Sequence, residues 1–200
     1  FLVAWEVMAV SSFFLVTLDD EEEQVREAGW TYLVASHLGT AVIITLFALL
    51  GNRAGSLDFR DFAAVAGGEG SRAGLLFILA LVGFGVKAGL MPLHVWLPEA
   101  HPAAPSHVSA LMSGVMIKTG IYGIVRMLGF FGPPAAWWGW VLVGAGAVSG
   151  VAGVLFALAQ HDLKRLLAYH SVENIGIILM GLGVGVLGLS SGTPWLAALG

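Results

Sequence analysis

Long apolar stretches separated by short polar connections make up most of this 200-residue chain. A helix of roughly 20 apolar residues crosses a hydrocarbon core of about 30 Å. Six stretches fit that template, at about residues 1–18, 29–50, 74–91, 106–129, 137–159 and 166–188. The pattern predicts an all-α fold, a polytopic transmembrane helix bundle that lies in the lipid bilayer and forms one domain over residues 1–200.

Two longer polar connections are predicted to lie at the surface and to have a structural role. Residues 18–30 are acidic, which is typical of a solvated connector whose carboxylates favour the start of the next helix. In the second connection, Ser56 followed by LDFRDFAAVA predicts a short surface helix that ends at the Gly67 and Gly68 pair. Lys and Arg are divided almost evenly between alternate connections, so their distribution leaves the membrane orientation open.

The composition supports a membrane protein and excludes several kinds of functional site from this chain. Hydrophobic residues make up 58% of the chain and charged residues 11%, which lies outside the ordinary globular range. The absence of cysteine excludes disulfides and thiolate-held iron–sulfur clusters from this chain, so we expect any redox centre on a partner subunit. With a net charge of −4 and no cluster of basic residues, the sequence predicts no positively charged surface for nucleic acid. Because the first apolar stretch opens at Phe1 without a charged leader, we expect an internal segment of a longer protein.

Two lysines near the middle of apolar stretches are the strongest chemical signal. Lys87 is the midpoint of a stretch that continues to about residue 100, and Lys118 is the midpoint of a stretch from about 105 to 130. An ionisable group at mid-bilayer costs roughly 2.5 to 3.5 kcal/mol on insertion scales, so each needs a partner or a water-filled cavity. A lysine side chain reaches only about 6 Å, which is too short to reach the headgroups from that depth. We therefore interpret both lysines as functional.

Four prolines follow Lys87, at positions 92, 98, 102 and 105. They cannot all belong to a regular helix, because each removes an N–H and clashes with the preceding turn. The spacing predicts a broken helix, and broken helices in transporters mark ion pathways. Since burial disfavours the charged ammonium and a nearby carboxylate favours it, Lys87 beside such a break predicts a switchable proton site.

Two carboxylates are candidates for the same pathway. Glu6 is the natural partner for Lys87, although a position near a helix end that faces solvent is an open alternative. Glu173 lies about two turns deeper than Lys164 and Arg165, which we interpret as interfacial. Glu173 is therefore a candidate proton carrier, and a structural role is equally open.

His107 is the candidate relay to Lys118, because 11 residues at 100° each return to within about 20° of the same helical face. Imidazole titrates near neutrality and could pass protons through water, but a local hydrogen bond is an equally open interpretation. The same two interpretations apply to the other histidines, at positions 37, 94, 101, 161 and 170. No histidine pair has the spacing and carboxylate of a helix metal site, so no metal or cofactor is assigned to this chain.

Two long segments carry a family resemblance. VKAGLMPLHVWLPEAHPAAPSHVSALMSGVMIKTGIYGIVRM and HDLKRLLAYHSVENIGII resemble the antiporter-like membrane subunits shared by respiratory complex I, multisubunit cation/proton antiporters and membrane-bound hydrogenases. The form AYHSVENIG is similar to the large membrane subunit of formate hydrogenlyase and of type-four hydrogenases. The resemblance implies a bundle of about fourteen helices with inverted repeats and a broken helix, of which this chain would cover the fifth to the tenth.

The resemblance also implies roles for individual residues. Glu6 matches the fifth-helix glutamate and Lys87 the lysine of the broken seventh helix, whose ion pair the family is proposed to use as a switch. Lys118 matches the eighth-helix lysine that leads toward the central hydrophilic axis. Glu173 stands where other branches have a neutral polar residue.

The function that the resemblance implies is proton translocation in the inner (plasma) membrane of a prokaryote, within a redox-driven complex of the NADH:quinone oxidoreductase or hydrogenase type. This chain would perform no redox step. Iron–sulfur clusters and nickel–iron or flavin centres are expected on peripheral redox subunits, with further membrane subunits as partners. The alternatives are a subunit of a multisubunit Na⁺/H⁺ antiporter and a membrane scaffold without transport.

Overall fold

The computed structural model describes residues 1–65 and 71–200, and these residues are helical apart from turns and short connections. The helices of this part of the chain are α1 (Leu2–Val16), α2 (Glu23–Ala54), α3 (Phe59–Val65), α4 (Ser71–Ala88), α5 (Leu97–Ala103), α6 (Ser106–Leu111), α7 (Ile117–Leu128), α8 (Ala136–Leu158), α9 (Leu163–Ser191) and α10 (Pro194–Leu199). A π-helical segment, Met112–Met116, joins α6 and α7 into one continuous helix.

Each of the six predicted apolar stretches corresponds to a helix. Four helices in the described residues are long and apolar enough to cross a membrane: α2, the continuous helix Ser106–Leu128, α8 and α9. The first stretch forms α1, with 15 residues, and the third forms α4, with 18 residues. The all-α, multi-spanning bundle predicted from the sequence is therefore confirmed.

The predicted surface helix is present as α3. Its start is organised by two local hydrogen bonds, from the Asp58 N–H to Ser56 Oγ at 3.0 Å and from the Arg60 N–H to Asp58 Oδ1 at 3.0 Å. The Phe62 ring packs against Phe47 of α2 with centroids 6.1 Å apart, which holds the helix against the bundle. The predicted terminator, Gly67 and Gly68, lies outside the described residues.

Small residues allow α8 and α9 to pack backbone against backbone. A Cβ added at Gly146 would lie 2.6 Å from the Gly176 carbonyl oxygen, and one at Gly153 would lie 2.9 Å from the Glu173 nitrogen. Such contacts leave no room for a side chain, as expected for small residues at an interface between membrane helices. On the other side of the bundle α1, α3, α4 and α5 contact α2, and α7 contacts α4. The helices α5 and α10 contact α9.

The helix predicted to be broken by prolines is broken between Ala88 and Leu97. Gly89 turns the chain with a φ of +75°, a conformation that L side chains rarely adopt. Two hydrogen bonds hold the break in place. The Met91 N–H donates to Ser149 Oγ of α8 at 3.1 Å, and Trp96 Nε1 donates to the Val86 carbonyl of α4 at 2.7 Å. The break is therefore partly buried: Leu90, Met91 and Trp96 lie in the core, whereas Val95 is 58% exposed. Its two hydrogen bonds satisfy backbone groups that irregular structure at membrane depth would otherwise leave unpaired.

Two of the four prolines lie within α5, and the freed backbone groups have partners. Pro98 is in the first turn, where a missing N–H costs no helical hydrogen bond. Pro102 cannot donate to the carbonyl of Pro98, and Arg165 Nε of α9 donates to that carbonyl instead, at 3.3 Å. Lys164 Nζ donates to the carbonyls of Pro102 at 3.3 Å and Ala104 at 2.9 Å, at the end of the same helix. Lys164 and Arg165, which the sequence predicted to be interfacial, therefore link α5, the second half of the broken helix, to α9 by hydrogen bonds.

Candidate proton-translocation site

Lys87 is the penultimate residue of α4 and is 2% exposed. Its Nζ donates to the Tyr32 hydroxyl at 2.8 Å and lies 3.4 Å from Ser36 Oγ, and it is 4.8 Å from the centre of the Tyr32 ring. Tyr32 and Ser36 are four residues apart on α2, so both point from one helical face toward α4. The ammonium group is therefore held by neutral hydroxyls at the edge of the helix break.

Tyr32 joins Lys87 to two further helices. Its hydroxyl oxygen lies 3.3 Å from the Ala9 carbonyl oxygen on α1 and 3.5 Å from Met116 Sδ in the π-helical segment. Its ring meets the Trp96 ring edge to face, with centroids 5.2 Å apart, and Trp96 belongs to the break. A hydroxyl can accept a hydrogen bond from an ammonium or donate one to a neutral amine, so Tyr32 can bond Lys87 in both charge states.

Glu6 contacts His37 of α2. Glu6 Oε2 is 3.4 Å from His37 Nε2, and His37 Nδ1 is 2.9 Å from the Leu33 carbonyl oxygen. Within the described residues no ion pair joins Glu6 to Lys87. Instead α2 supplies adjacent residues to the two groups, Ser36 to Lys87 and His37 to Glu6. Glu6 Oε1 is buried without a hydrogen-bond partner in this part of the chain.

Lys118 lies at the start of α7, directly after the π-helical segment, and is half-buried. Its Nζ donates to the Ser113 carbonyl at 2.5 Å. A π-helix widens the turn so that residue i faces residue i+5, which is the spacing of these two residues. The Ser113 hydroxyl is 2.8 Å from the Ser171 hydroxyl, which joins the π-helical segment to α9.

The two lysines are connected by close packing of α4 and α7. A Cβ added at Gly120 would lie 2.6 Å from the Phe84 carbonyl oxygen and 2.7 Å from the Ala88 nitrogen. Gly120 is two residues after Lys118, and Ala88 is the residue after Lys87. Each lysine is thus one or two positions from the point where the two helix backbones meet.

The other two candidates, His107 and Glu173, form no hydrogen bond or ion pair with Lys87 or Lys118 in the described part of the chain. His107 is exposed on α6, and the π-helical segment lies between it and Lys118, so the regular helix assumed when both were placed on one face is interrupted. Glu173 Oε2 is 2.6 Å from His170 Nδ1 on the same helix. The structure therefore gives Glu173 a local partner.

Sequence reasoning missed Tyr32 and Ser36 as the partners of Lys87. A weak signal was available, because Tyr32 and Ser36 stand four positions apart in a largely apolar stretch, which also contains Thr31, His37, Thr40 and Thr45. Nothing in the sequence indicated which of the several apolar helices would face Lys87. The pairing of Glu6 with His37 was missed for the same reason.

A family model and several known proteins match this chain over nearly its whole length. The family described as NADH:quinone oxidoreductase/Mrp antiporter, TM, matches residues 1–196. Hydrogenase-4 component B of Escherichia coli strain K12 is 48% identical over 204 residues, which cover 100% of this chain and 30% of that protein. Formate hydrogenlyase subunit 3 of the same strain is 39% identical over 202 residues, which cover 100% of this chain and 32% of that protein. In the solved structure of the Mrp complex from Dietzia sp. DQ12-45-1b, a chain matches 100% of this one over 39% of its own length, with a TM-score of 0.81 and 26% identity.

The chain belongs to the NADH:quinone oxidoreductase/Mrp antiporter transmembrane family. It is an antiporter-like membrane protein whose relatives are subunits of multisubunit membrane complexes. It spans about a third of the length of the hydrogenase relatives that it matches. The resemblance to this family, to formate hydrogenlyase and to hydrogenase subunits that was drawn from the sequence is confirmed.

Proposed function

We propose that the protein to which this chain belongs is a proton-translocating membrane subunit of a redox-driven complex in the inner membrane of a prokaryote. The parent complex is of the hydrogenase or NADH:quinone oxidoreductase type. Iron–sulfur clusters and nickel–iron or flavin centres belong to its peripheral subunits, and this chain moves protons without performing a redox step. The similarity to hydrogenase-4 component B and formate hydrogenlyase subunit 3 supports this assignment.

The observation that carries the proposal is the setting of Lys87. A buried ammonium is costly unless it has a charged partner, and here the groups within hydrogen-bond reach are the neutral hydroxyls of Tyr32 and Ser36. A purely structural lysine gains little from such a position. A proton-exchanging amine gains from it, because neither charge state is held by a fixed counter-ion and the same hydroxyls serve both states.

The geometry supports a short pathway across the bundle. Glu6 and Lys87 both contact α2, through His37 and Tyr32 respectively, and Lys118 is held by the Ser113 carbonyl of its own helix. Protons exchange at Lys87 and pass toward Lys118 past Tyr32 and Met116, which lie at the contact of α2 with the π-helical segment. His107 and Glu173 are secondary candidates, at the exposed start of α6 and beside His170.

A second function, cation/proton antiport without a redox partner, is supported by the match to the Mrp complex over the full chain. The same titratable residues would serve both functions. The composition of the purified parent complex separates them: iron–sulfur subunits that co-purify with the chain support the redox-driven function, and their absence supports antiport.

The test is proton uptake into vesicles that contain the intact parent complex, measured together with redox turnover for Lys87→Met. We expect the variant to lose proton uptake, with turnover either uncoupled or lost as well. Arg60→Met, on exposed α3, is the matched control that removes a positive charge elsewhere and should leave both activities unchanged. Unchanged uptake and turnover in Lys87→Met would reject the proposal and favour a scaffold.

A further inference from the structure

The second half of the broken helix, α5, depends on other helices for its position. It has 7 residues, and Pro98 and Pro102 remove two of its backbone donors. Isolated helices shorter than about 12–15 residues are marginal, and most helical stability comes from tertiary packing. The contacts that α5 makes with its neighbours therefore decide where it lies.

Arg165 of α9 holds the first turn of α5. Its Nε donates at 3.3 Å to the Pro98 carbonyl, which receives no N–H from Pro102. Within residues 1–65 and 71–200 no carboxylate forms an ion pair with Arg165, although Glu99 lines the same two cavities, of about 830 and 310 Å³. The guanidinium group is therefore bonded to the backbone of α5 rather than to a counter-ion.

Trp96 directly precedes α5 and connects it to the surroundings of Lys87. The Trp96 carbonyl accepts the Ala100 N–H at 2.9 Å, which joins Trp96 to the first turn of α5. Its Nε1 donates to the Val86 carbonyl at 2.7 Å, and its ring meets the Tyr32 ring edge to face with centroids 5.2 Å apart. Because Trp96 is 1% exposed and closely packed, a displacement of α5 would change these contacts.

Both contacts of Trp96 affect the position of the Lys87 amine. Val86 is the residue before Lys87 in α4, and the Tyr32 hydroxyl accepts from Lys87 Nζ at 2.8 Å. A shift of Trp96 would therefore move the backbone beside Lys87 and the hydroxyl that bonds its amine. Contacts run without interruption from Arg165 through α5 and Trp96 to Lys87.

We propose that Arg165 is a positioning residue for proton exchange at Lys87 and that it acts through α5 and Trp96. No proton passes along this connection, since Arg165 only fixes the geometry in which Tyr32 bonds the amine. The inference rests on the proposed function, because it requires Lys87 to exchange protons. It adds a residue of α9, a helix that forms no hydrogen bond with Lys87 in the described residues.

Lys164, the neighbour of Arg165, provides the matched control. Its Nζ also donates to carbonyls of the α5 segment, those of Pro102 at 3.3 Å and Ala104 at 2.9 Å. These carbonyls lie at the end of α5 that is remote from Trp96. Substituting either cation removes one positive charge from the start of α9, but only the loss of Arg165 removes the bond to the first turn of α5.

The test is proton uptake per redox turnover in vesicles that contain the intact parent complex. Arg165→Met should lower uptake at least about threefold, a size typical of changes within a network of contacts. Arg165→Lys keeps a donor for the Pro98 carbonyl and should restore most of the uptake, and Lys164→Met should stay near the wild-type level. Wild-type uptake in Arg165→Met, no recovery in Arg165→Lys, or an equal loss in Lys164→Met would overturn the proposal.

Trp96→Phe tests the same connection without a change in α9, so it decides the question even where Arg165→Met does not assemble. The new ring still faces Tyr32, but the bond to the Val86 carbonyl is lost, and uptake should fall by a similar factor. Combined with Arg165→Met, it should lose no more than the larger single loss, because both changes act on one connection. Wild-type uptake in Trp96→Phe, or a combined loss equal to the product of the single losses, contradicts the positioning role.

Lys87→Met in the same preparation separates the positioning role from the proposed function. If Lys87→Met stops uptake while Arg165→Met and Trp96→Phe behave as wild type, only the positioning role fails. If Lys87→Met takes up protons as wild type does, the proposed function itself fails.

Discussion

Lys87 and Lys118 stand at two different irregularities of the helix bundle. Lys87 lies at a break, where α4 stops and the chain turns before α5, and the groups that hold its amine come from another helix. Lys118 follows a π-helical segment, where the helix widens without stopping, and the group that holds its amine is a carbonyl of its own helix. The first environment depends on how helices pack, and the second depends on local backbone geometry.

The difference implies different sensitivity to mutation. The partners of Lys87 are side chains that a substitution can remove one at a time. The partner of Lys118 is a backbone oxygen that no side-chain substitution removes. A change in the packing of α4 against α7 should affect both lysines, a change at Tyr32 should affect Lys87, and a change at Ser113 should spare Lys118.

The largest effect is expected for Gly120→Val, which would break the contact that the two sites share. The new side chain would collide with the backbone of Phe84 and Ala88, where a Cβ has only 2.6 to 2.7 Å. Overpacking costs about 1–3 kcal/mol and more against rigid backbone, so assembly and proton uptake should both fall. Gly144→Val on α8 is the control, since a Cβ there meets nothing within 4 Å. Equal yield and uptake in the two variants would show that the contact does not couple the sites.

A smaller and more selective effect is expected for Tyr32→Phe. The ring that faces Lys87 is retained, but the hydroxyl at 2.8 Å is lost. Removing one hydrogen-bond partner of a buried charged group costs about 1–3 kcal/mol, so proton uptake should fall while the complex still assembles. Ser36→Ala should have a weaker effect, because Ser36 Oγ is farther away, at 3.4 Å. A larger loss in Ser36→Ala than in Tyr32→Phe would contradict this ranking.

The smallest effect is expected for Ser113→Ala. The carbonyl that holds Lys118 remains, and only the contact to the Ser171 hydroxyl is lost. Ser171 keeps its bond to the Leu167 carbonyl, and a hydrogen bond between membrane helices is worth about 0.6 kcal/mol on average. Thermal unfolding of the complex should shift slightly and proton uptake should not change. A strong loss of uptake would mean that the Ser113 hydroxyl itself carries protons.

The sequence predicted the helices and the break because both follow from local chemistry. Apolar length predicts spanning helices, and the four prolines at positions 92, 98, 102 and 105 predict a broken helix. The π-helical segment was not predictable, because MSGVM contains no residue that requires it. It interrupts the regular helix between His107 and Lys118 that the prediction of a shared helical face assumed.

The site was predictable only in part, because partners depend on packing between distant segments. Lys87 was identified from its depth in an apolar stretch, whereas Tyr32 lies 55 residues earlier and could be chosen only from the structure. Lys164 and Arg165 were predicted to be interfacial, but no pattern indicated that they bond the carbonyls of α5.

The central claim, that Lys87 exchanges protons, is tested most directly by comparing Lys87→Arg with Lys87→Met in vesicles that contain the intact complex. Arginine keeps the positive charge but is not deprotonated in proteins, so it separates charge from proton exchange. The account predicts that both variants assemble and that both lose proton uptake. Proton uptake at the wild-type level in Lys87→Arg would contradict the account and assign Lys87 the role of a fixed positive charge.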